Sequence, residues 1–275
     1  MTREELKQAV CDEIDRRRDD IIRVAQTMRS HPELGFKEYR TSALVCQTLA
    51  SLGLPVRDTL AALDLPLREG LALTGVEGVL HGGKPGPGLC IIGELDALVV
   101  RDAPVHDPDT GAAHQCGHHI QISSMLGAAM GLVRSGVASS LTGVIHFLGV
   151  PAEEVIELEY RTGLMREGKI TYPAGKQELI KQGYFDDIDI SMMVHSQSCA
   201  PDAGIYFGSS SNAFQGKVVR YVGRPTHAGA TPEDGINALN AACLGIMAIH
   251  AQRETFRDQD HCRVAPIIIK GGDVV

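Results

Sequence analysis

The chain has no basic stripe, no long apolar run and no repeating cysteine frame, and each absence removes a class of function. Lysine and arginine number 26 against 34 aspartates and glutamates, a formal net charge of −8, with a pI near 5.7. A surface of that sign repels phosphate backbones and anionic lipids, so neither nucleic acid nor a membrane is an expected partner. No stretch reaches the roughly 18 to 20 uninterrupted apolar residues that span a bilayer. The charged opening MTREELKQAVCDEIDRRRDDIIRVAQTM contains no signal-peptide core. The seven cysteines, at 11, 46, 90, 116, 199, 243 and 262, are odd in number and scattered, which suits a reducing compartment better than a disulfide scaffold. A cytoplasmic location is expected. There is also no internal repeat and no low-complexity tract.

What remains is an ordinary globular composition. Of 275 residues, 44% are hydrophobic and 22% charged, enough for a real core. Helical patterns near 4 to 28 (Leu6, Val10, Ile14, Ile21, Ile22, Val24), 40 to 52, 118 to 135 and 235 to 254 alternate with apolar runs, GLCIIGEL, GVIHFLGV and DISMMVH. Continuous apolar strands between helices predict an α/β sheet covered on both faces. HGGKPGPG at 81 to 88 predicts a turn before a strand. Ligands of such sheets gather beyond the carboxyl ends of the strands. A second unit is expected from about Ser209, making domains of 1 to 208 and 209 to 275. In it AFQGKVVRYVG, a helix from about Asp234 and RVAPIIIKGG form a β-α-β arrangement. Asp273, Val274 and Val275 read as an interruption of that fold, not its finish.

Four strand-end or loop motifs carry candidate chemistry. His114-Gln115-Cys116-Gly117-His118-His119 precedes an apolar helix expected to start near Gln121. Thiolate and imidazole hold borderline metals such as zinc, and the intervening glycine lets the backbone turn both side chains to one ion. Histidines that merely cap the helix are an equally good reading of this motif alone. Pro151-Ala152-Glu153-Glu154 follows the strand GVIHFLGV. Adjacent carboxylates there can divide the work, one ligating metal and the other moving a proton. His195 ends the apolar run SMMV, and Glu94-Leu95-Asp96 ends CIIGEL. A lone strand-end histidine is more often structural than a ligand, while Asp96 can orient a ligand histidine from behind. Packing alone does not explain four strand ends that supply Cys, His, Glu and Asp together.

The ordered set HPELGFKEYRTS (31 to 42), GELDAL (93 to 98), HQCGHH (114 to 119), GVPAEE (149 to 154), His195 and GRPTHAGATPEDGINAL (223 to 239) resembles the successive motifs of peptidase family M20. The Cys-Gly-His form is similar to its amidohydrolase subgroup of aminoacylase, indole-acetyl-amino-acid and aminobenzoyl-glutamate hydrolases. That resemblance implies a catalytic domain with a mixed, mostly parallel sheet covered by helices, plus an inserted α+β (ferredoxin-like) lid or dimerisation domain, incomplete here. It implies two divalent metal ions, zinc or manganese, with Cys116 bridging them and His118, Glu154 and His195 as further ligands. Glu153 would be the general base, Asp96 would stand behind the ligands, and His227 would polarise the scissile carbonyl. The implied reaction is hydrolysis of a small-molecule amide, an N-acyl amino acid or dipeptide. The implied assembly is a homodimer through the insert helix, with Ile236, Leu239, Cys243, Ile246 and Met247 as its apolar positions.

The pattern departs from the family at three places. His119 stands where the subgroup has Asp or Asn. Gly149-Val150 stand where many aminoacylase-like members have Phe-Gln, which leans toward the aminobenzoyl-glutamate and dipeptidase-like branch. Members also continue past the point that corresponds to Val275, with a segment that supplies another ligand histidine, so the chain is expected to be truncated at its carboxyl end. Two other readings stay open: Cys116 as a thiol nucleophile with a nearby histidine as base, and a truncated, catalytically inactive relative that keeps only the fold or an interaction role.

Overall fold

The computed structural model describes residues 1–58, 71–196, 204–208 and 213–272. The chain divides into two units, Met1–Ala200 and Pro201–Val275.

The first unit opens with α1 (Arg3–Arg16), α2 (Arg18–Ser30) and α3 (Tyr39–Ser51). Thr2 and Glu5 close a reciprocal capping box at the start of α1, satisfying two amides that the first turn leaves without helical partners. The single helix expected over 4 to 28 is therefore two. The Arg17 N–H is shared between the carbonyls of Glu13 and Ile14, tightening the last turn of α1 before α2 restarts. Both halves lie against α4 (His118–Arg134).

The remaining elements of this unit are β1 (Val56–Asp58), β2 (Val76–His81), β3 (Lys84–Glu94), the short pair β4 (Leu98–Val99) and β5 (Ala112–Ala113), β6 (Thr142–Val150), α5 (Leu158–Arg166), α6 (Gly175–Lys181) and β7 (Ile190–Met193). The main sheet has the order β1-β2-β6-β3-β7. Strands β6, β3 and β7 are mutually parallel, while β2 runs against β6 and β1 against β2. Four of the five strands thus point the same way, a mixed and mostly parallel sheet. The turn expected over 81 to 88 is shorter: it is confined to Gly82 and Gly83, because Lys84 to Gly88 joins β3 with a register shift against β6.

Alternate residues of the central strands enter different cores, which is why their sequences read as unbroken apolar runs. Ile91, Ile145 and Phe147 pack with Leu49 of α3 and Ile122, Met125 and Leu126 of α4. Cys90, Ile92, Leu148 and Val150 pack with Leu179 of α6 and with Tyr184, Phe185 and Ile188. Helices cover both faces, and the carboxyl ends of β3, β6 and β7 come to one edge.

The second unit is simpler. Asn237 caps α7 (Ala238–Ala251) by accepting from the Asn240 amide. The strands expected on either side are not formed: among the described residues, 213–223 and 263–272 carry no ladder, and one isolated bridge joins Arg224 to Ile236. A helix satisfies its amides within its own segment, whereas a strand needs a neighbour. The boundary expected at Ser209, and the last three residues, lie outside the described residues.

Candidate metal centre

Three parallel strand ends and one helix start build the site. β3 leads into Glu94, Leu95 and Asp96; β6 leads into Pro151 to Glu154; β7 leads into Val194 and His195. The fourth contribution is the start of α4, where Gly117 takes φ 94°. That left-handed backbone favours glycine, and a Cβ there would collide with the Ser196 hydroxyl. The same hydroxyl donates to the Cys116 carbonyl at 3.0 Å, tying the end of β7 to the Cys-Gly-His turn.

The side chains converge on His118, which is 1% exposed. Its Nε2 lies 3.0 Å from Glu94 Oε2, 3.8 Å from Glu153 Oε2 and 3.9 Å from Glu154 Oε1. On the other side, Nδ1 faces the Asp96 carbonyl at 2.8 Å and its carboxylate Oδ1 at 3.4 Å. Cys116 Sγ stands 3.5 Å from His195 Nε2, and the His118 and His195 rings meet edge to face at 5.9 Å. Among the described residues two sets bring their ligand atoms within 4.8 Å of one another: Cys116, His118 and His195, and Glu94, His118 and Glu153. His118 belongs to both.

These residues fit a metal ion on grounds internal to the site. His118 Nε2 and Glu94 Oε2 are buried, yet neither has an aligned hydrogen bond, and Asp96 Oδ1 is similarly without one. The 3.0 Å approach of His118 to Glu94 is thus a close charge contact whose angle falls short of a hydrogen bond. Buried polar atoms left in this way cost free energy, and a cation between them would relieve it. A thiol, two imidazoles and several carboxylates also make a donor set suited to zinc and tolerant of manganese.

The electrostatics agree. Burial opposes charge on His118, but Asp96 and Glu94 outweigh it and push the imidazole up to about 11. Burial likewise works against the Glu94 carboxylate, yet His118 and Lys176 hold it down at about 2. The negative field that retains the His118 proton would also draw a divalent cation. Cys116 is pushed up to about 11, first by burial and then by Glu154. A thiol activated as a free nucleophile needs the opposite environment. Glu153 is raised by burial and by the Glu94 carboxylate.

Six of the residues singled out from the sequence thus come together: Asp96, Cys116, His118, Glu153, Glu154 and His195. His227 belongs to the second unit, in a turn where the amides of Ala230 and Thr231 bond to its carbonyl and its Nδ1 accepts from Gly229 at 3.1 Å. Two participants go beyond the sequence reading. Glu94 shares a strand-end motif with Asp96 but has no role assigned from sequence, although residues two apart at a strand end tend toward one side. Lys176, whose ammonium donates to Glu94 Oε1, carries no local signal, since it reaches the site from α6. His119, the departure after Cys-Gly-His, is half-buried with its ring 5.3 Å from that of His114. Burial holds His114 down at about 3, helped by His119.

No protein-family profile matches the chain. The chain is 29% identical over 244 residues to an N-acyl-L-amino acid amidohydrolase of Geobacillus stearothermophilus, covering 87% of this chain and 57% of the relative. It is 31% identical over 189 residues to one of the polypeptides of p-aminobenzoyl-glutamate hydrolase from Escherichia coli, covering 65% of this chain and 39% of that one. Its fold is similar to the crystal structure of an aminobenzoyl-glutamate utilization protein from Klebsiella pneumoniae, with a TM-score of 0.54 at 23% identity over 88% of this chain and 60% of that one. The chain therefore spans about half the length of the curated relatives it matches. No helix among the described residues is long and apolar enough to cross a membrane.

Proposed function

The chain is a relative of the metal-dependent amidohydrolases and peptidases of family M20, and on that premise we propose that it serves the hydrolysis of a small amide, an N-acyl amino acid or a dipeptide-like substrate. One observation carries the reading: Cys116, His118, His195, Glu153 and Glu154 gather at the carboxyl edge of one sheet, around buried atoms that lack partners. Cys116, His118, Glu154 and His195 would hold two divalent ions, with Glu94 and Asp96 close behind. The ions, when bound, supply Lewis-acid polarisation of a carbonyl and acidify water.

The remaining work falls to side chains of the chain itself. Glu153 takes a proton from the attacking water and returns it to the leaving amine. Its raised proton affinity suits both halves of that task better than an ordinary carboxylate would. Asp96 steers His118 through Nδ1, so that Nε2 is the nitrogen left to face the ligands. His227 is the proposed donor to the substrate carbonyl. It would act from a lid and dimerisation unit spanning 209 to 275, with 1 to 208 as the catalytic domain. Ile236, Leu239, Cys243 and Met247 are exposed and Ile246 half-buried in the second unit, as an interface through α7 requires. Light scattering that finds a monomer at working concentration would count against that interface.

The 3.5 Å approach of Cys116 to His195 supports a competing thiol-nucleophile reading, and a chelator separates the two. Cleavage of N-acetyl amino acids, dipeptides and p-aminobenzoyl-glutamate is to be followed with zinc or manganese supplied. The metal reading predicts activity that EDTA abolishes and that Glu153→Gln lowers by about 10²- to 10⁴-fold while metal stays bound. Activity that survives EDTA and is lost in Cys116→Ser would establish the thiol instead.

A further inference from the structure

Arg161 on α5 is fully buried, at 0% exposed, and it touches no carboxylate oxygen by hydrogen bond. Its Nη1 donates to the carbonyl of Ala152 at 3.3 Å and to that of Pro173, and its Nη2 donates to the carbonyl of Glu154. Two of these carbonyls flank Glu153 on either side. The guanidinium lies 5.4 Å from the Phe36 ring, and Gly35 leaves the room it needs, because a Cβ there would collide with Nη2.

The turn that Arg161 grips is otherwise outside any ladder. β6 ends at Val150, and Ala152 adopts φ 49°, a left-handed conformation that a side-chain-bearing residue keeps only when its surroundings impose it. Those surroundings are mostly buried charged side chains. Glu38 accepts from the Ala152 amide at 2.7 Å, and Asp96 accepts from the Glu154 amide at 2.9 Å. Glu38, Asp96 and Arg161 are each 0% exposed. Each of the two carbonyls also accepts one backbone amide, Gly175 to Ala152 at 3.2 Å and Ile156 to Glu154 at 2.9 Å, and the planar fork that bonds both ties the two peptide planes to each other, and with them the directions in which Glu153 and Glu154 leave the backbone.

We propose that Arg161 is a positioning residue of the metal centre: through the Ala152 and Glu154 carbonyls it sets the aim of the paired carboxylates, and it touches neither substrate nor metal. This rests on the metal reading of the site given above. A buried cation near several carboxylates has an obvious alternative use, pairing their charge, but its donors go to carbonyls. Lysine would preserve the charge and lose the fork.

The test is zinc affinity by competition with a chromogenic chelator, in the full chain, for the unaltered protein, Arg161→Lys, Glu154→Ala and the combination, with thermal melts of each metal-free protein. Arg161→Lys is expected to melt cooperatively and to bind zinc about 10- to 100-fold more weakly, the range typical of residues that orient ligands. In the Glu154→Ala background the same substitution should change affinity far less, because the carboxylate it aims is gone. Equal losses in both backgrounds, or no loss in either, would overturn the proposal while leaving the metal reading intact. An unaltered chain that binds no zinc would overturn both. Should Arg161→Lys not melt cooperatively, Arg161→Gln is measured in the same way. If neither variant folds, Arg161 belongs to the fold alone and the positioning role is lost.

Discussion

Glu38 has no exposed surface and spends both oxygens on neutral donors, the Thr74 hydroxyl at 2.5 Å and the Ala152 amide at 2.7 Å. Burial above all, and then the neighbouring Asp96, push its carboxyl up to about 8. The folded chain therefore binds this proton more tightly than the unfolded chain, whose value is near 4.5. The contribution of Glu38 to stability must then fall as pH rises from the unfolded value toward 8. His118, raised to about 11, adds its own loss from 6.5 upward, so the informative comparison is between proteins. Urea denaturation in chelator, at several values between about pH 5 and pH 8, should show a shallower decline in Glu38→Gln than in the unaltered chain. Parallel declines would mean that Glu38 is already ionised across that range.

Among the elements, α4 joins structure to chemistry. Its first residue is His118, and its apolar side supplies Ile122, Met125, Leu126 and Ala129 to the larger core, against Val24 and Met28 of α2 and Phe147 of β6. Leu126→Ala removes a fully buried side chain from that core and should cost about 2 to 5 kcal/mol by urea denaturation. A cost under about 1 kcal/mol would mean that the core collapses around the vacancy. The same helix shows how far the sequence can be read. Its hydrophobic period over 118 to 135 locates the helix, but the start expected near Gln121 falls three residues late, because His118 to Ile120 already belong to its first turn. The site strands β3 and β6 are also legible, because sheets covered on both faces write continuous apolar runs; β7 writes such a run too, although its four residues are exposed at the edge of the sheet. The short helices α5 and α6 are not, since α5 is polar around most of its surface, and neither β2 nor the break at Arg17 leaves a pattern to follow. The strands of the second unit fail for a different reason: a strand-like composition states a preference, while a strand exists only with a partner.

At the scale of the whole molecule, the site assembles from places distant in sequence. Residues 94 to 96, 116 to 118, 153, 154, 176 and 195 meet only because β6, β3 and β7 run parallel and present their carboxyl ends to one edge. Periodicity announces the strand ends, and chemistry announces Cys116, His118, Glu153 and Glu154. The pairing of Lys176 with Glu94 and the clamp of Arg161 depend on tertiary contacts that no local pattern encodes. An assembly of buried carboxylates around unpartnered His118 and Glu94 atoms carries a cost when metal-free, and a ligand that binds only the folded state offsets it. A free metal concentration about one hundred times Kd should stabilise the chain by about 2.7 kcal/mol, visible as a rise in melting temperature.

A metal centre at this edge of the sheet requires that the folded chain hold metal. The most direct test is zinc or manganese bound per chain, by elemental analysis after purification with the metal supplied, for the unaltered protein and a Cys116→Ala, Glu154→Ala double variant that still melts cooperatively. Bound metal is expected in the unaltered protein and its loss in the variant. A folded, unaltered chain without metal, or equal metal content in the two proteins, would contradict the metal centre.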